Sequence, residues 1–298
     1  MNRIYFNGFL LAIVGTALFS LKSIFIKFLY LEGLDTDSVI TLRMAIALPI
    51  YLTIFFWQQK KKPNTEYKHH LPMIAFLGFI GYFLSSWLDL KGLEMVSAQL
   101  ERLTLFTYPI MVAILGALFF KTPLTRYIVL SLAMTYTGVV FVFVEELRFS
   151  GHNTTLGTTL VFLAATSFAF YVLFGKKVIA QVGSQVFTSL AMSISSLFVL
   201  VYFGILHDFM SIEISSEAWF WLFMLAIFST VVPSYMIAES IHKIGPAKTG
   251  IIGALGPVMT MGFAVWLLGE PFTLFHFTGL ILVVIGVSIL SKDRNRGA

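Results

Sequence analysis

The 298-residue sequence contains no cysteine. Disulfides, thiol chemistry and cysteine-ligated metals are excluded at once. Charge is almost as scarce, with 12% Asp, Glu, Lys and Arg against 58% hydrophobic residues. The mean hydropathy of +0.88 lies well outside the range of soluble domains. Long polar stretches are missing too: the longest gap between apolar runs, residues 58–70, has room for neither a soluble domain nor an extramembrane catalytic module. No His-Glu-x-x-His pair, Gly-x-Ser-x-Gly elbow or acidic pair at catalytic spacing occurs, so the sequence offers no catalytic residues. Neither a metal nor a cofactor is expected.

What the chain does have is apolar runs from end to end, at residues 5–30, 38–57, 71–90, 97–120, 124–144, 156–178, 186–206, 218–241, 247–268 and 272–290. Each is close to the roughly 20 residues that cross a hydrocarbon core of about 30 Å. The first is too long for a signal-peptide core and lacks a cleavage-type ending, so it reads as a retained span. The fold class is an all-α integral membrane protein with ten transmembrane helices.

Basic residues near the span ends give an orientation. One side carries Arg3, Lys60, Lys61, Lys62, Lys68, Lys121, Arg126, Lys176, Lys177, Lys243, Lys248, Lys292, Arg294 and Arg296, fourteen of the 20 Lys and Arg. The other has Lys27, Lys91 and Arg148 among acidic loops bearing Glu32, Asp35, Asp37, Glu145, Glu146, Asp208, Glu213 and Glu217. Both termini are therefore expected in the cytoplasm, with the protein in a bacterial inner membrane. The net charge of +5 follows from this asymmetry and implies no nucleic acid. The Lys60–Lys62 run also suits anionic lipid head groups.

One stretch occurs twice. Shifted by 148 positions, residues 91–139 lie over 239–287 without a gap, matching Pro109 with Pro257, Met111 with Met259, Pro123 with Pro271, Thr125 with Thr273, Leu132 with Leu280 and Gly138 with Gly286. Gly8, Phe19 and Lys27 of the first span correspond, at a spacing of 149, to Gly157, Phe168 and Lys176 of the sixth. The chain divides into 1–148 and 149–298, five spans each, and an odd number of crossings turns the second half upside down. Inverted repeats of this kind are built for alternating access, with the site at the interface of the halves.

Polar residues within spans usually face a bundle interior or a wet cavity. The fourth span carries Ser97, Glu101, Thr104 and Tyr108 at helical spacing, the third Gly78, Tyr82, Ser85 and Asp89, and the first Thr16, Ser20, Ser23 and Lys27, three narrow hydrophilic faces. Lys22, Arg43 and Arg102 lie at similar depth. Each has a structural reading as well: Arg102 paired with the helix bearing Asp89, Arg43 locked on Asp37 or Asp89, Lys27 snorkelling to the interface, Glu101 in an ion pair. In the second half the charges move to the opposite mouth, where Tyr235, Glu239 and His242 share a face near Lys248. Pro109 and Pro257 are expected mid-helix as breaks.

These residues resemble a known family. Ala17-Leu18-Phe19-Ser20-Leu21-Lys22 with Lys27, Thr41-Leu42-Arg43, Ser97-Ala98 through Leu103 to Tyr108-Pro109, Leu255-Gly256-Pro257-Val258, and Leu268-Gly269-Glu270-Pro271 followed by Gly279 and Gly286-Val287 look like the ten-helix EamA-type permeases of the drug/metabolite transporter superfamily. The first copy departs from this pattern, with Lys121-Thr122 where Gly-Glu is usual. The resemblance implies a central cavity lined by helices 1, 3, 4, 6, 8 and 9, and Trp87, Tyr82, Tyr108, Phe170, Tyr171 and Tyr235 as aromatic lining. The function expected is secondary-active export of a small metabolite such as an amino acid by alternating access; a passive channel or facilitator, or an exporter of toxic amphiphiles, is the alternative. The substrate pathway is expected at Lys22, Tyr82, Trp87, Asp89, Glu101, Arg102, Thr104, Tyr108, Tyr171 and Tyr235, and an inner gate at Glu239, His242 and Lys248. The expected partners are a small-molecule substrate and the lipid bilayer, with the protein monomeric.

Overall fold

The computed structural model describes residues 3–61, 63–121, 125–150, 153–208, 214–244, 249 and 252–294. Among the described residues, eight helices are long and apolar enough to cross a membrane: α1 (Asn7–Leu31), α2 (Thr36–Lys61), α3 (Tyr67–Leu93), α4 (Ala98–Phe120), α5 (Arg126–Arg148), α6 (Thr154–Val182), α7 (Ser184–Leu206) and α8 (Ser216–Ile241). Two shorter apolar helices, α9 (Gly256–Leu268) and α10 (Leu274–Ile289), complete ten. Large apolar side chains stand bare on the outside, Trp266 at 78% exposure and Ile205 at 75%, as lipid-facing positions require. The protein is an all-α integral membrane protein of two inverted five-helix repeats. Its ends are called basic and acidic below, after the loop charges at each.

The repeat is visible in the backbone. The second half of α4 (Tyr108–Phe120) and the whole of α9 (Gly256–Leu268) are the same unit displaced by 148 residues. Each ends in a left-handed residue, Lys121 at φ 53° and Gly269 at φ 66°. A glycine adopts that conformation freely, whereas a lysine pays Cβ strain. A π-helical stretch occupies Phe79–Leu84 of α3 and Met224–Val231 of α8.

The prolines depart from the mid-helix expectation. Pro109 and Pro257 each lie in the first turn of a new helix, where the missing N–H would have no partner and the fixed φ suits helix entry. The α4 break lies just before, at Phe106–Thr107, where Thr107 Oγ1 donates to the Thr104 carbonyl at 2.7 Å. Helix α1 is broken too, at Leu21 between Arg3–Ser20 and Lys22–Leu31. Ser20 Oγ donates to the Gly256 carbonyl (3.1 Å), and Thr260 Oγ1 donates to the Ser20 carbonyl (3.2 Å). The breaks of α1 and α9 thus satisfy each other's backbone, the condition for tolerating them inside a membrane.

Helices α5 and α10 pack side by side through small residues. A methyl group on Gly138 would strike the Gly279 carbonyl oxygen, and one on Gly279 that of Gly138. Ser131 Oγ donates to the Gly286 carbonyl at 2.6 Å. Such surfaces let membrane helices approach closely where no hydrophobic drive exists between them.

Candidate substrate cavity

The start of α4 positions the charged residues that follow it. The N–H groups at a helix N-terminus have no intrahelical partner, and here each of four finds an oxygen. Ser97 N–H donates to Glu146 Oε1 (2.8 Å), Ala98 and Gln99 N–H to the two oxygens of Glu270 (2.7 and 3.2 Å), and Leu100 N–H to Ser97 Oγ (3.1 Å). Two carboxylates at a helix N-terminus also complement its dipole. Burial pushes the Glu270 carboxyl above the ordinary value of 4.5, and the Ala98 N–H, Lys27 and Gln99 oppose that shift. Glu146, expected in a solvated acidic loop, is instead buried against α4.

One turn further, the halves enclose a cavity of about 520 Å³. From the first half it is lined by Thr16, Phe19 and Lys22 of α1, Arg43 of α2, Tyr82, Ser85 and Asp89 of α3, and Arg102 and Tyr108 of α4. The second half contributes Phe168 of α6, Thr188 of α7, Ser229, Thr230 and Ser234 of α8, and Gly256 of α9. The cavity runs from Asp89 and Arg102, about one turn inside the acidic end, to Ile241 and Thr249 near the basic end.

Its charges fall into two groups. Lys22 Nζ and Asp89 Oδ2 form an ion pair at 2.5 Å, joining α1 to α3. Arg43 is only 2% exposed, yet its Nε and Nη2 have no hydrogen-bond partner, and neither has Arg102 Nε. Glu101 stands behind the wall, fully buried, with Oε2 accepting from Ser23 Oγ at 2.7 Å and within electrostatic reach of Asp89, Lys22 and Arg102. The Arg102–Asp89 pairing expected from the sequence is replaced by Lys22–Asp89. Of the two partners expected for Arg43, Asp37 is engaged elsewhere, accepting from Trp87 Nε1 at 2.7 Å and lying 3.5 Å from His207 Nε2, while Asp89 lies within electrostatic reach. Lys27 does not snorkel outward; it is half-buried within reach of Glu270, Glu146, Glu101 and Glu94.

An aromatic group closes one side. The Tyr82 and Tyr171 hydroxyls meet at 3.1 Å, with Phe168 stacked on Tyr171 and edge-on to Tyr108. Tyr171 reaches Tyr82 because its ring lies directly on the bare backbone of Gly81.

Of the residues expected along the pathway, Lys22, Tyr82, Asp89, Arg102 and Tyr108 line this cavity, with Glu101 and Tyr171 directly behind. Three lie elsewhere. Trp87 is turned toward Asp37, where its indole N–H finds an acceptor. Thr104 faces a separate, apolar cleft of about 270 Å³ with Tyr136 and Phe162, because the cavity face of α4 is the one bearing Arg102, Leu105 and Phe106, about 150° round the helix. Tyr235 bonds with Ser189 at 2.7 Å beside Tyr51. Among the expected inner-gate residues, Glu239 pairs with Lys243 on its own helix at 3.0 Å and so does not bridge helices. The His242 side chain and Lys248 lie outside the described residues. Arg43 and the α8 hydroxyls entered no expected pathway; an arginine within an apolar run was the signal for the first, and hydroxyls on a helix gave none for the second.

A family model described as the EamA-like transporter family matches residues 6–144 and again 155–292. The protein named "Uncharacterized transporter YcbK" of Bacillus subtilis is 27% identical, covering 91% of this chain and 88% of its own. The "Uncharacterized inner membrane transporter YicL" of Salmonella typhimurium is 21% identical across 98% of this chain and 97% of its own. A solved crystal structure superposes with a TM-score of 0.69 at 14% identity, covering 97% of this chain and 98% of that one, a likeness of fold alone.

Proposed function

The chain belongs to the EamA-like transporter family, and from that premise we propose that it is a secondary-active carrier exporting a small metabolite, such as an amino acid, by alternating access. The observation that carries this reading is the charged cavity at the interface of two inverted halves, where a carrier of this architecture holds its cargo. The orientation proposed is an inner membrane with both termini and the basic end in the cytoplasm. The cavity then reaches the cytoplasmic side at Ile241 and Thr249, the side from which an exporter loads. At the other end, carboxylates bridge the halves: Glu32 accepts from Ser215 (2.6 Å), Asp37 lies by His207, and Glu270 holds Ala98. The Lys22–Asp89 pair lies just beneath this closure.

Solute exchange in proteoliposomes tests the reading. A carrier accumulates labelled solute transiently against a trapped unlabelled pool and saturates with concentration. Unitary conductance, or flux linear in concentration, sinks the carrier reading in favour of a channel or facilitator.

A further inference from the structure

The cavity described above has an unbalanced wall. Its cations are Lys22, Arg43 and Arg102, and among the described lining residues its one carboxylate is Asp89, already ion-paired to Lys22. A buried guanidinium with unmet hydrogen bonds is costly, and Arg43 Nε, Arg43 Nη2 and Arg102 Nε have no hydrogen-bond partner, although Asp89 and Glu101 lie within electrostatic reach of the two groups. Two further buried, unpartnered hydroxyls belong to Thr16 and Ser229, residues of the same wall. Donor-bearing residues of α1, α2, α4 and α8, drawn from both halves, thus surround one volume. One unpartnered acceptor of the wall, Asp89 Oδ1, sits on the carboxylate held by Lys22.

The geometry points to a cargo with an anionic oxygen group, a carboxylate or a phosphate, held by Arg43 and Arg102 with Thr16 and Ser229 as additional donors. This rests on the carrier reading above and narrows its small metabolite to an acid without an ammonium group, in place of an amino acid. Guanidinium forks match the planar oxygens of a carboxylate or the face of a phosphate. The wall offers an ammonium group no unpaired carboxylate, so a simple organic acid or phosphate ester fits better than a zwitterion. Because the donors belong to both halves, the bound anion also bridges them.

Thermal unfolding of the purified full-length protein tests this, with probes matched in shape and differing in charge: succinate against succinamide, benzoate against benzamide, glycerol phosphate against glycerol, and phenylalanine as the zwitterion. A bound anion at saturating concentration raises the unfolding temperature by roughly 5 °C, while its neutral partner leaves it unchanged. Whether the carboxylates or the phosphate ester respond identifies the group. Arg102→Gln and Arg43→Gln each abolish that rise. If a neutral or zwitterionic probe stabilises parent and variants alike, the cavity remains a binding site and the carrier reading stands, but the anion assignment falls. It falls equally if the variants keep the anion response, which marks the arginines as structural. A protein indifferent to every probe counts against both the assignment and the carrier reading.

Discussion

Glu270, in the loop after α9, accepts the backbone N–H of Ala98 at the start of α4 at 2.7 Å. The two residues lie 172 positions apart and in opposite halves, so one carboxylate fixes both the acidic-end closure and the helix that carries Glu101 and Arg102. Glu270→Ala leaves two helix-terminal donors without partners and lowers stability by about 1–2 kcal/mol, read from the unfolding midpoint. The site is also pH-sensitive. Burial raises the folded carboxyl above 4.5, so its stability contribution is fully present below that value and declines as pH rises through the folded value. Glu270→Gln should flatten the stability profile above pH 4.5 relative to the parent; an unchanged profile means that other groups set it.

Lys121 occupies the left-handed position that Gly269 fills in the second copy. Relief of the Cβ strain makes Lys121→Gly stabilising by about 1 kcal/mol, after the entropy cost of the glycine in the unfolded chain. An equal or lower unfolding midpoint contradicts this.

The Lys22–Asp89 pair separates folding from function. Asp89→Asn strands the Lys22 ammonium and costs roughly 3 kcal/mol. The double variant Lys22→Met with Asp89→Leu removes both charges and should recover most of that stability. Exchange activity in proteoliposomes should stay at least about tenfold down in both, if the pair belongs to the transport cycle. Recovery of activity together with stability would make the pair a packing contact.

The cysteine-free background allows direct mapping of orientation. Cysteines replacing Lys61 or Lys176 should react with an impermeant reagent only in broken or inverted cells, and one replacing Asp208 in intact cells. The reverse pattern overturns the proposed placement of the basic end.

Composition and period made the fold legible. Apolar length sets the number of crossings, and the 148-residue shift reappears as an identical pair of half-helices, because both depend on residues close together in the chain. The site was legible in part. Lys22, Asp89 and Arg102 stood out because charges in apolar runs are rare, but their partners were not, since pairing depends on how helices rotate against each other. The break at Phe106–Thr107 puts Thr104 off the cavity even though Tyr108, on the same helical stripe, lines it. Trp87 looked like lining until the indole N–H found Asp37. Glu270 was visible as part of a turn signature, yet its target lies 172 residues away and no local pattern reports it.

The central claim is that the cavity opens to one end at the expense of the other. Ser86 lines it and is half-buried, so Ser86→Cys reports access from each side when sealed vesicles of known orientation meet an impermeant thiol reagent. In the otherwise unchanged protein, labelling should be faster from the basic end. Adding Glu270→Ala weakens the acidic-end closure, and alternating access then requires labelling from the acidic end to rise while that from the basic end falls. A rise at the acidic end with no fall at the basic end would mean a continuous pore, and no change at either would mean that Glu270 and Ala98 hold a helix in place without gating anything.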